Sequence, residues 1–406
     1  MSSSADGPLS LWLSRPSPPE EVDIAVVGGG IAGLSTAYWL TRMGRKPVLL
    51  EAGAVAGRAS GRNAGFLSSG TAWPFTGLAG RIGEAATRRF WEISTESREL
   101  LRGELLDPGK IDCDFLPEGS WIAAMAELPE QEAQLRESAE LLARMGFDLE
   151  WREAAEVRQA SGSDLLGGAI FQPRDGGLHS VRLCRGIARL IQEAGGEVRT
   201  GWKVHALEPE GNRIRLVSEA GILVARRVVL AMNAYAPALL PHLAGEVRPV
   251  RGQVFATEPG RSRDLQGVWY INDGFEYMRQ LADGTVVLGG ARWTARETEV
   301  GFDEIPTGKV QGALEKFLRD TFPRFADLPI RHRWAGTMAF TSDGLPRIGP
   351  VPGLPGAFYV AGFNGHGMSL GFATGRWLAR RTLGEEKGEL FGPGPGEGRP
   401  DSPGVL

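Results

Sequence analysis

The sequence predicts an α/β fold, in which a mainly parallel sheet is flanked by helices and a second, α+β domain is inserted. Three observations lead to this prediction. Residues 23–51 read as strand, glycine-rich turn, helix and strand. Continuous apolar runs typical of buried parallel strands recur at Arg227–Met232 and Ala357–Ala361. The segments between these strands alternate helical and β-rich patterns, so the parallel sheet is assembled from distant parts of the chain.

Three glycines follow the first predicted strand, Asp23–Val27, with G-x-G-x-x-G spacing. Gly28 permits a tight turn, Gly30 lets a pyrophosphate approach the backbone, and Gly33 lets the next helix lie close to the sheet. The same glycines could form an ordinary turn of an α/β sheet. The strand before them and the helix after them favour a Rossmann-like dinucleotide-binding unit instead.

The helix after the glycines and the acid at the end of the next strand complete this unit. Ile31 and Ala32 open the helix, whose free N–H groups and partial positive charge favour phosphate. Glu51 ends the strand Pro47–Glu51, where it can accept hydrogen bonds from a ribose hydroxyl, and Ala52 follows it. We expect all four residues to contact the dinucleotide.

Composition excludes several classes of protein. The chain has 406 residues, too many for one compact core, with 42% hydrophobic and 23% charged residues. Its net charge is −4 and its basic residues are scattered, so no nucleic acid partner is expected. Cys113 and Cys184 are its two cysteines, without a C-x-x-C motif, which excludes a disulfide framework and favours the cytoplasm. We find no signal peptide, no apolar run of ~20 residues for a membrane span, and no metal-binding histidine spacing.

The predicted domains are discontinuous. The nucleotide-binding domain is expected at 20–75, 165–245 and 335–384, and the substrate domain at 76–164 and 246–334. Residues 1–19 are expected to form an irregular N-terminal arm, and the Gly/Pro-rich residues 385–406 a disordered tail.

Further elements are predicted from periodicity and turn residues. The helical patterns are Leu78–Leu106, Leu128–Met145, Val181–Ala194, Lys309–Thr321 and Met368–Arg381. The further strand patterns are Glu197–Thr200, Lys203–Glu208, Arg213–Ser218, Ile222–Val224, Arg248–Thr257, Val268–Ile271, Glu276–Gln280 and Thr285–Leu288.

Several motifs, in order along the chain, resemble the FAD-dependent D-amino acid oxidase superfamily, which includes sarcosine oxidase and glycine oxidase. The sequence has one G-x-G-x-x-G dinucleotide-binding turn, at Gly28, Gly30 and Gly33, which we call the cradle. It lacks the second such turn of pyridine-nucleotide flavin reductases. The motifs are Gly57–Phe66, Arg174–Ser180, Pro249–Gln253, Trp334–Gly349 and Gly362–Gly367, and the similarity spans about residues 20–383. Ser60–Asn63 and Gly365–Gly367 most resemble the γ-glutamylputrescine oxidase branch. The resemblance implies a Rossmann-like FAD-binding domain with an inserted α+β substrate domain that carries a mixed or antiparallel sheet.

The resemblance also implies which residues contact FAD. Beyond the cradle they are Ser60, Arg62, Asn63, Ala64, Val204, Asn233, Gly336, Gly365, His366, Gly367 and Met368. Arg62 could neutralise phosphate charge, and the helix that begins near Met368 could stabilise negative charge on the reduced flavin. His366 either adds to that stabilisation or faces the substrate. Core packing would also explain Val204, and a turn would also explain Asn233.

Met338 departs from the relatives at an informative position. The sarcosine oxidase pattern has there the cysteine that attaches FAD, and the glycine oxidase pattern has the arginine that binds a substrate carboxylate. Because methionine can do neither, we expect non-covalent FAD, and an amine or a larger amino acid held by another cation as the substrate.

Two arginines are candidates for that cation. Arg279 lies two residues after Tyr277 on a predicted strand, so both side chains should point to one face. Arg292 follows the next strand, and surface ion pairing would explain either arginine equally well. Sarcosine oxidase activates O2 with a lysine on a strand that resembles Thr285–Gly289, where this chain has Val287, so O2 and another acceptor both stay open.

The resemblance implies an FAD-dependent oxidoreductase that oxidises a C–N bond of a small amine or amino acid. Hydride passes to flavin N5, the resulting imine hydrolyses, and electrons go to O2 or another acceptor. On this view His366, Tyr277 and Arg279 are the candidate catalytic residues. The alternatives are an NAD(P)H-linked flavoprotein reductase or monooxygenase and a non-catalytic flavin-binding subunit.

Overall fold

The structure is a computed structural model that describes residues 19–391. Within this range the α-helices α1–α8 are Ile31–Arg42, Phe75–Ile82, Glu84–Leu101, Pro129–Arg144, Ala154–Ser161, Ser180–Glu193, Gly308–Thr321 and Gly367–Leu383. The strands β1–β18 are Glu20–Val27, Val48–Glu51, Phe66–Leu67, Ser120–Met125, Glu150–Arg152, Leu166–Gln172, Gly176–Gly177, Glu197–Thr200, Val204–Glu210, Arg213–Ser218, Gly221–Leu230, Arg248–Thr257, Val268–Ile271, Glu276–Gln280, Val286–Gly290, Ile330–Phe340, Arg347–Pro350 and Ala357–Ala361.

The first sheet contains the predicted β-α-β unit. Its order is β17-β18-β11-β1-β2-β8. In addition, β10 pairs with β11, and β9 pairs with β10. β1 pairs in parallel with β2 and β11, and β11 pairs in parallel with β18. The carboxyl ends of these central strands therefore meet at one edge, where ligands of parallel α/β sheets bind.

The second sheet is mixed. Its order is β16-β12-β15-β14-β13-β4-β6-β5, and its neighbours are antiparallel except for the parallel pair β13 and β4. Apolar side chains of α7, including Leu314 and Leu318, pack in one cluster with Phe255, Met278 and Leu288 of this sheet. The predicted fold class is confirmed by these two sheets.

Helices α1 and α8 cross in close contact and bring their N-termini to the same region. A Cβ added at Gly375 would lie 2.5 Å from the Cβ of Ser35, and one at Gly371 would lie 3.0 Å from Ile31. The Trp39 indole N–H donates to the Phe372 carbonyl at 3.1 Å. Small residues on both helices thus permit the approach that positions the two helix ends.

Most predicted elements form, with ends moved by a few residues. The helix predicted over Leu78–Leu106 is divided at Gly83, whose φ is +86°, and its last turn over Arg102–Leu106 is a π-helix. The strands predicted as Ile222–Val224 and Arg227–Met232 form one strand, β11, because no residue between them interrupts the pairing with β1.

Three predicted boundaries need correction. Residues 165–172 and 335–340 were expected in the nucleotide-binding domain, but β6 pairs with β4 and β5, and β16 with β12, in the second sheet. The disordered tail predicted from residue 385 begins too early, because Leu390 and Phe391 are buried and Phe391 packs against Phe90. Residues 1–18 of the predicted arm and 392–406 of the predicted tail lie outside the described residues.

Candidate functional site

A cavity of about 680 Å³ is lined by residues of both sheets and of the first turns of α1 and α8. Most of the predicted site residues meet there. They are Gly28, Gly30, Ile31, Ala32, Glu51, Ala52, Ser60, Arg62, Asn63, Ala64, Val204, Asn233, Tyr277, Gly336, Gly365, His366, Gly367 and Met368. Gly33 and Arg279 are not among the lining residues.

The cradle glycines are required by close backbone contacts. Gly28 has a φ of +112°, and a Cβ there would lie 2.5 Å from the Ala231 carbonyl oxygen. A Cβ at Gly33 would lie 1.9 Å from the Gly28 carbonyl oxygen, so Gly33 acts by letting α1 pack against the turn. The N-cap residue Gly30 makes no side-chain bond to the helix end, and the Ile31 N–H is bonded to Ser60 Oγ, so the N–H groups that follow it remain for a ligand. The first turn of α1 therefore presents N–H groups and a partial positive charge to the cavity.

Glu51 is held at the end of β2 by backbone donors. The Gly29 N–H donates to Oε2 at 2.6 Å, and the Gly53 N–H donates to Oε1 at 2.7 Å. A carboxylate oxygen has lone pairs beyond these single bonds. The fixed carboxylate can thus still accept from a ribose hydroxyl.

The loop after β2 is built by its own polar side chains. The Ile31 N–H donates to Ser60 Oγ at 2.9 Å, and Asn63 Nδ2 donates to the carbonyls of Ala59 and Ser60. Arg62 donates to the Ala335 carbonyl at 3.0 Å and to Gly57, and its Nη2 lies 3.3 Å from Glu304. The phosphate contact expected of Arg62 therefore competes with protein acceptors that already use its donors.

The structure agrees with both interpretations of Val204 and Asn233. Each residue lines the cavity, and Val204 also packs in the core while Asn233 also forms a turn. Val204 is 8% exposed and packs in the core cluster of the first sheet, and it also lines the cavity. Asn233 has a φ of +48° and its Oδ1 accepts from the Gly362 N–H at 3.0 Å, so it is a turn residue at the cavity wall.

The first turn of α8 forms the opposite wall. Its N-cap is His366, whose Nδ1 lies 2.8 Å from the Asn364 carbonyl oxygen and whose ring meets Phe90 edge-on. Burial lowers the pKa of His366 to about 4. The ring is therefore neutral near neutral pH, and the expected help in stabilising negative charge is left to the N-terminus of the helix.

Aromatic side chains line the far end of the cavity. Phe66 meets Tyr270 and Tyr277 edge-on, with ring centroids 5.0 and 6.1 Å apart. Burial raises the pKa of Tyr270 to about 12 and also raises the pKa of Tyr277. Both phenols are neutral at physiological pH, so this part of the cavity wall is uncharged and excludes water.

The two candidate arginines differ in position. Arg279 is 7% exposed, donates to the Gly65 carbonyl at 3.0 Å and is not among the residues that line the cavity, so the structure does not bring this candidate to the site. Its strand face is covered by the segments at Gly65 and Gly177. Arg292 lines the cavity with its guanidinium 5.1 Å from the Phe340 ring centroid. It has no hydrogen bond or ion pair with any described residue, and burial lowers its pKa.

Sequence reasoning missed several lining residues, among them Trp73, Tyr235, Asp273, Phe275 and Phe340. The Asn-Asp-Gly sequence at 272–274 is a turn signal that could have placed Asp273 at a strand end. Phe340 ends β16 and Tyr235 lies in a short 3-10 helix, and no local pattern shows that these side chains, or those of Trp73 and Phe275, face the cavity.

A dinucleotide cradle that opens into an aromatic pocket is the arrangement of a dinucleotide-dependent oxidoreductase. The profile of the family described as "FAD dependent oxidoreductase" (DAO) matches residues 23–381. The chain belongs to this family, and the predicted superfamily, enzyme class and FAD cofactor are confirmed.

Relatives cover most of the chain. Probable oxidoreductase OrdL of Haemophilus influenzae is 26% identical over 91% of this chain and 84% of its own length. Gamma-glutamylputrescine oxidoreductase of Escherichia coli is 29% identical over 89% of this chain and 84% of its own. The crystal structure of glycine oxidase from Bacillus cereus has the same fold, with a TM-score of 0.76 and 20% identity over 91% of this chain and 97% of that one.

The cavity fits FAD by its own geometry. Gly28, Gly29 and Gly30 put backbone without side chains on the cavity wall, and the first turns of α1 and α8, whose N-cap residues make no side-chain cap bond, both open into the cavity. Within residues 19–391 no helix is long and apolar enough to cross a membrane. In the same range no cluster of three His, Cys, Asp or Glu side chains could hold a metal ion.

Proposed function

We propose that this enzyme oxidises the C–N bond of an amino acid, or of an amine that carries a carboxylate. Bound FAD supplies the hydride acceptor for this chemistry. The relatives named for glycine and for gamma-glutamylputrescine support an amine or amino acid as the substrate class. The chain's own residues bind and orient both molecules and exclude water.

The proposal depends on the position of Arg292 in the cavity wall. This arginine is a cation on the cavity wall that has no hydrogen-bond or ion-pair partner among the described residues and lies against the Phe340 ring. An arginine fork pairs with a carboxylate through two parallel hydrogen bonds. Met338 lines the same cavity and cannot provide that cation. Arg292 is thus suited to bind the substrate carboxylate.

The remaining walls support the transfer of hydride from a neutral amine. Phe66, Tyr270 and Tyr277 form an apolar surface that excludes water from the reacting carbon. His366 keeps its proton on Nδ1, because the Asn364 carbonyl can only accept, and Nε2 therefore keeps a lone pair. The first turn of α8 offers N–H groups to the negative charge that develops at this end.

The reaction is tested by mixing the purified yellow protein anaerobically with polyamines and their γ-glutamyl derivatives, sarcosine, glycine, and D- and L-amino acids. We expect an amino acid or a carboxylate-bearing amine to bleach the flavin absorption. Repeating the experiment in air and measuring H2O2 identifies O2 or another compound as the acceptor. Bleaching by NADH alone, or by none of these compounds, would overturn the proposal.

The role of Arg292 is tested by Arg292→Met. Loss of a charge-assisted pair is expected to raise the dissociation constant of a carboxylate substrate about ten-fold or more. The decarboxylated amine should bind equally well to both proteins. Arg185→Met, which removes an exposed arginine of α6, is the control. A variant that weakens the amine and the amino acid equally would contradict the role.

A further inference from the structure

Asp273 places a carboxyl group at the cavity wall, and one of its oxygens has no hydrogen-bond partner among the described residues. It lines the cavity in the turn between β13 and β14, and its Oδ1 is buried with no hydrogen-bond partner among the described residues. The Gln131 side chain contacts the carboxyl group but leaves this oxygen unsatisfied. A buried carboxylate oxygen is costly when unpaired, so a ligand that donates to it is favoured.

The turn itself does not explain an aspartate. Asn272 and Asp273 both have a φ of +54°, and the Gly274 N–H donates to the Ile271 carbonyl at 3.1 Å. These are the features of a type I′ turn, in which glycine is the favoured second central residue. Asn272 serves the turn, because its Nδ2 donates to Glu276 at 3.1 Å. The Oδ1 of Asp273 makes no comparable bond.

Asp273 and Arg292 lie at the same end of the second sheet. Glu276 at the start of β14 pairs with Gly290 at the end of β15. Asp273 comes just before β14 and Arg292 just after β15, and both line the cavity. Glu51 is the other carboxylate among the lining residues, and its two oxygens accept from backbone N–H groups at the cradle. Among the described residues that line the cavity, Asp273 is therefore the carboxylate that shares a sheet end with Arg292.

We propose that Asp273 binds a second, distal cationic group of the substrate, an ammonium or a guanidinium. This inference rests on the proposed function, in which Arg292 binds the carboxylate. The substrate class is then an amino acid, or a carboxylate-bearing amine, that carries a positive charge away from the reacting nitrogen. Tyr270 lines the same cavity, and an aromatic ring favours a cation over a neutral polar group. The rings of Trp73 and Phe275 also line it, but they already contact the guanidiniums of Arg81 and Arg296.

The test compares lysine with Nε-acetyl-lysine, and arginine with its neutral analogue citrulline, on the FAD-loaded enzyme. Dissociation constants come from anaerobic calorimetry, and reduction from the flavin absorption. Because bonds to charged groups are the stronger ones, the wild type should prefer the cationic member of each pair about ten-fold or more. Asp273→Asn should reduce that preference to about two-fold or less.

Asp273→Gly is the second variant, since glycine is the favoured residue at this backbone angle and the turn should fold without strain. It should lose the preference while keeping the affinity for the neutral member. Asp327→Asn removes the same charge from an exposed position and should change nothing. A wild type that binds both members equally, or variants that keep the preference, overturns the role of Asp273. If no amine or amino acid in either form reduces the flavin, the proposed function itself fails.

Discussion

At the scale of single residues, His366 illustrates how burial decides charge. Its pKa is lowered to about 4 by burial, although the Asn364 carbonyl that accepts from Nδ1 opposes that effect. A histidine in an unfolded chain has a pKa of about 6.5. Between these values the unfolded chain binds a proton that the folded protein does not bind.

This difference predicts a loss of stability on acidification. The free energy of unfolding should fall as the pH falls from about 6.5 to about 4, by up to about 3 kcal/mol from His366 alone. His366→Gln removes this contribution, and denaturant unfolding at about pH 7 and about pH 4.5 measures it. His332→Gln, at an exposed position, is the control. Equal pH dependence in the wild type and His366→Gln would contradict the neutral state assigned to the ring.

The two arginines mark the limit of residue-level prediction. Strand alternation correctly places Tyr277 and Arg279 on one face, since that follows from backbone geometry alone. It does not reveal that the segments at Gly65 and Gly177 cover Arg279, because those segments come from distant parts of the chain. By contrast, the cradle positions Gly28 and Glu51 could be predicted, because their roles depend on local backbone geometry.

At the scale of elements, the crossing of α1 and α8 positions the two helix ends that face the cavity. A Cβ at Gly375 would lie 2.5 Å from the Ser35 Cβ and 2.7 Å from the Ser35 backbone. We therefore expect Gly375→Ala to force the helices apart and to destabilise the protein by about 1–3 kcal/mol. It should also weaken FAD binding, because both helix ends move.

The matched control for this prediction is Gly312→Ala in α7, where an added Cβ meets nothing within 4 Å. Alanine in an open helix position should stabilise by up to about 1 kcal/mol. Denaturant unfolding and FAD titration of both variants test the contrast. Gly375→Ala with unchanged stability and FAD affinity would refute the close-packing argument. The sequence indicated helix α8 by its periodicity but not its partner, because the same spacing suits any facing helix.

At the scale of the whole molecule, each sheet is assembled from several separate segments of the chain. This explains why the sequence predicted the strands better than their grouping. Leu166–Gln172 is an apolar run that suits a buried strand of either sheet, and only the pairing with β4 and β5 assigns it to the second. The cavity lies where residues of both sheets meet, so FAD should bind the two parts together.

FAD is therefore expected to stabilise the whole fold reversibly. Cys113 and Cys184 are buried and are not among the cavity-lining residues, and Met338 offers no attachment, so acid precipitation should leave FAD in the supernatant. The apoprotein should unfold at a lower temperature, and added FAD should restore stability by about 2.7 kcal/mol at 100 times its Kd. Riboflavin lacks the pyrophosphate and ribose that the α1 N-terminus and Glu51 would bind, so it should stabilise far less. Flavin retained in the pellet would refute the non-covalent assignment, and equal stabilisation by riboflavin would refute the role of the cradle.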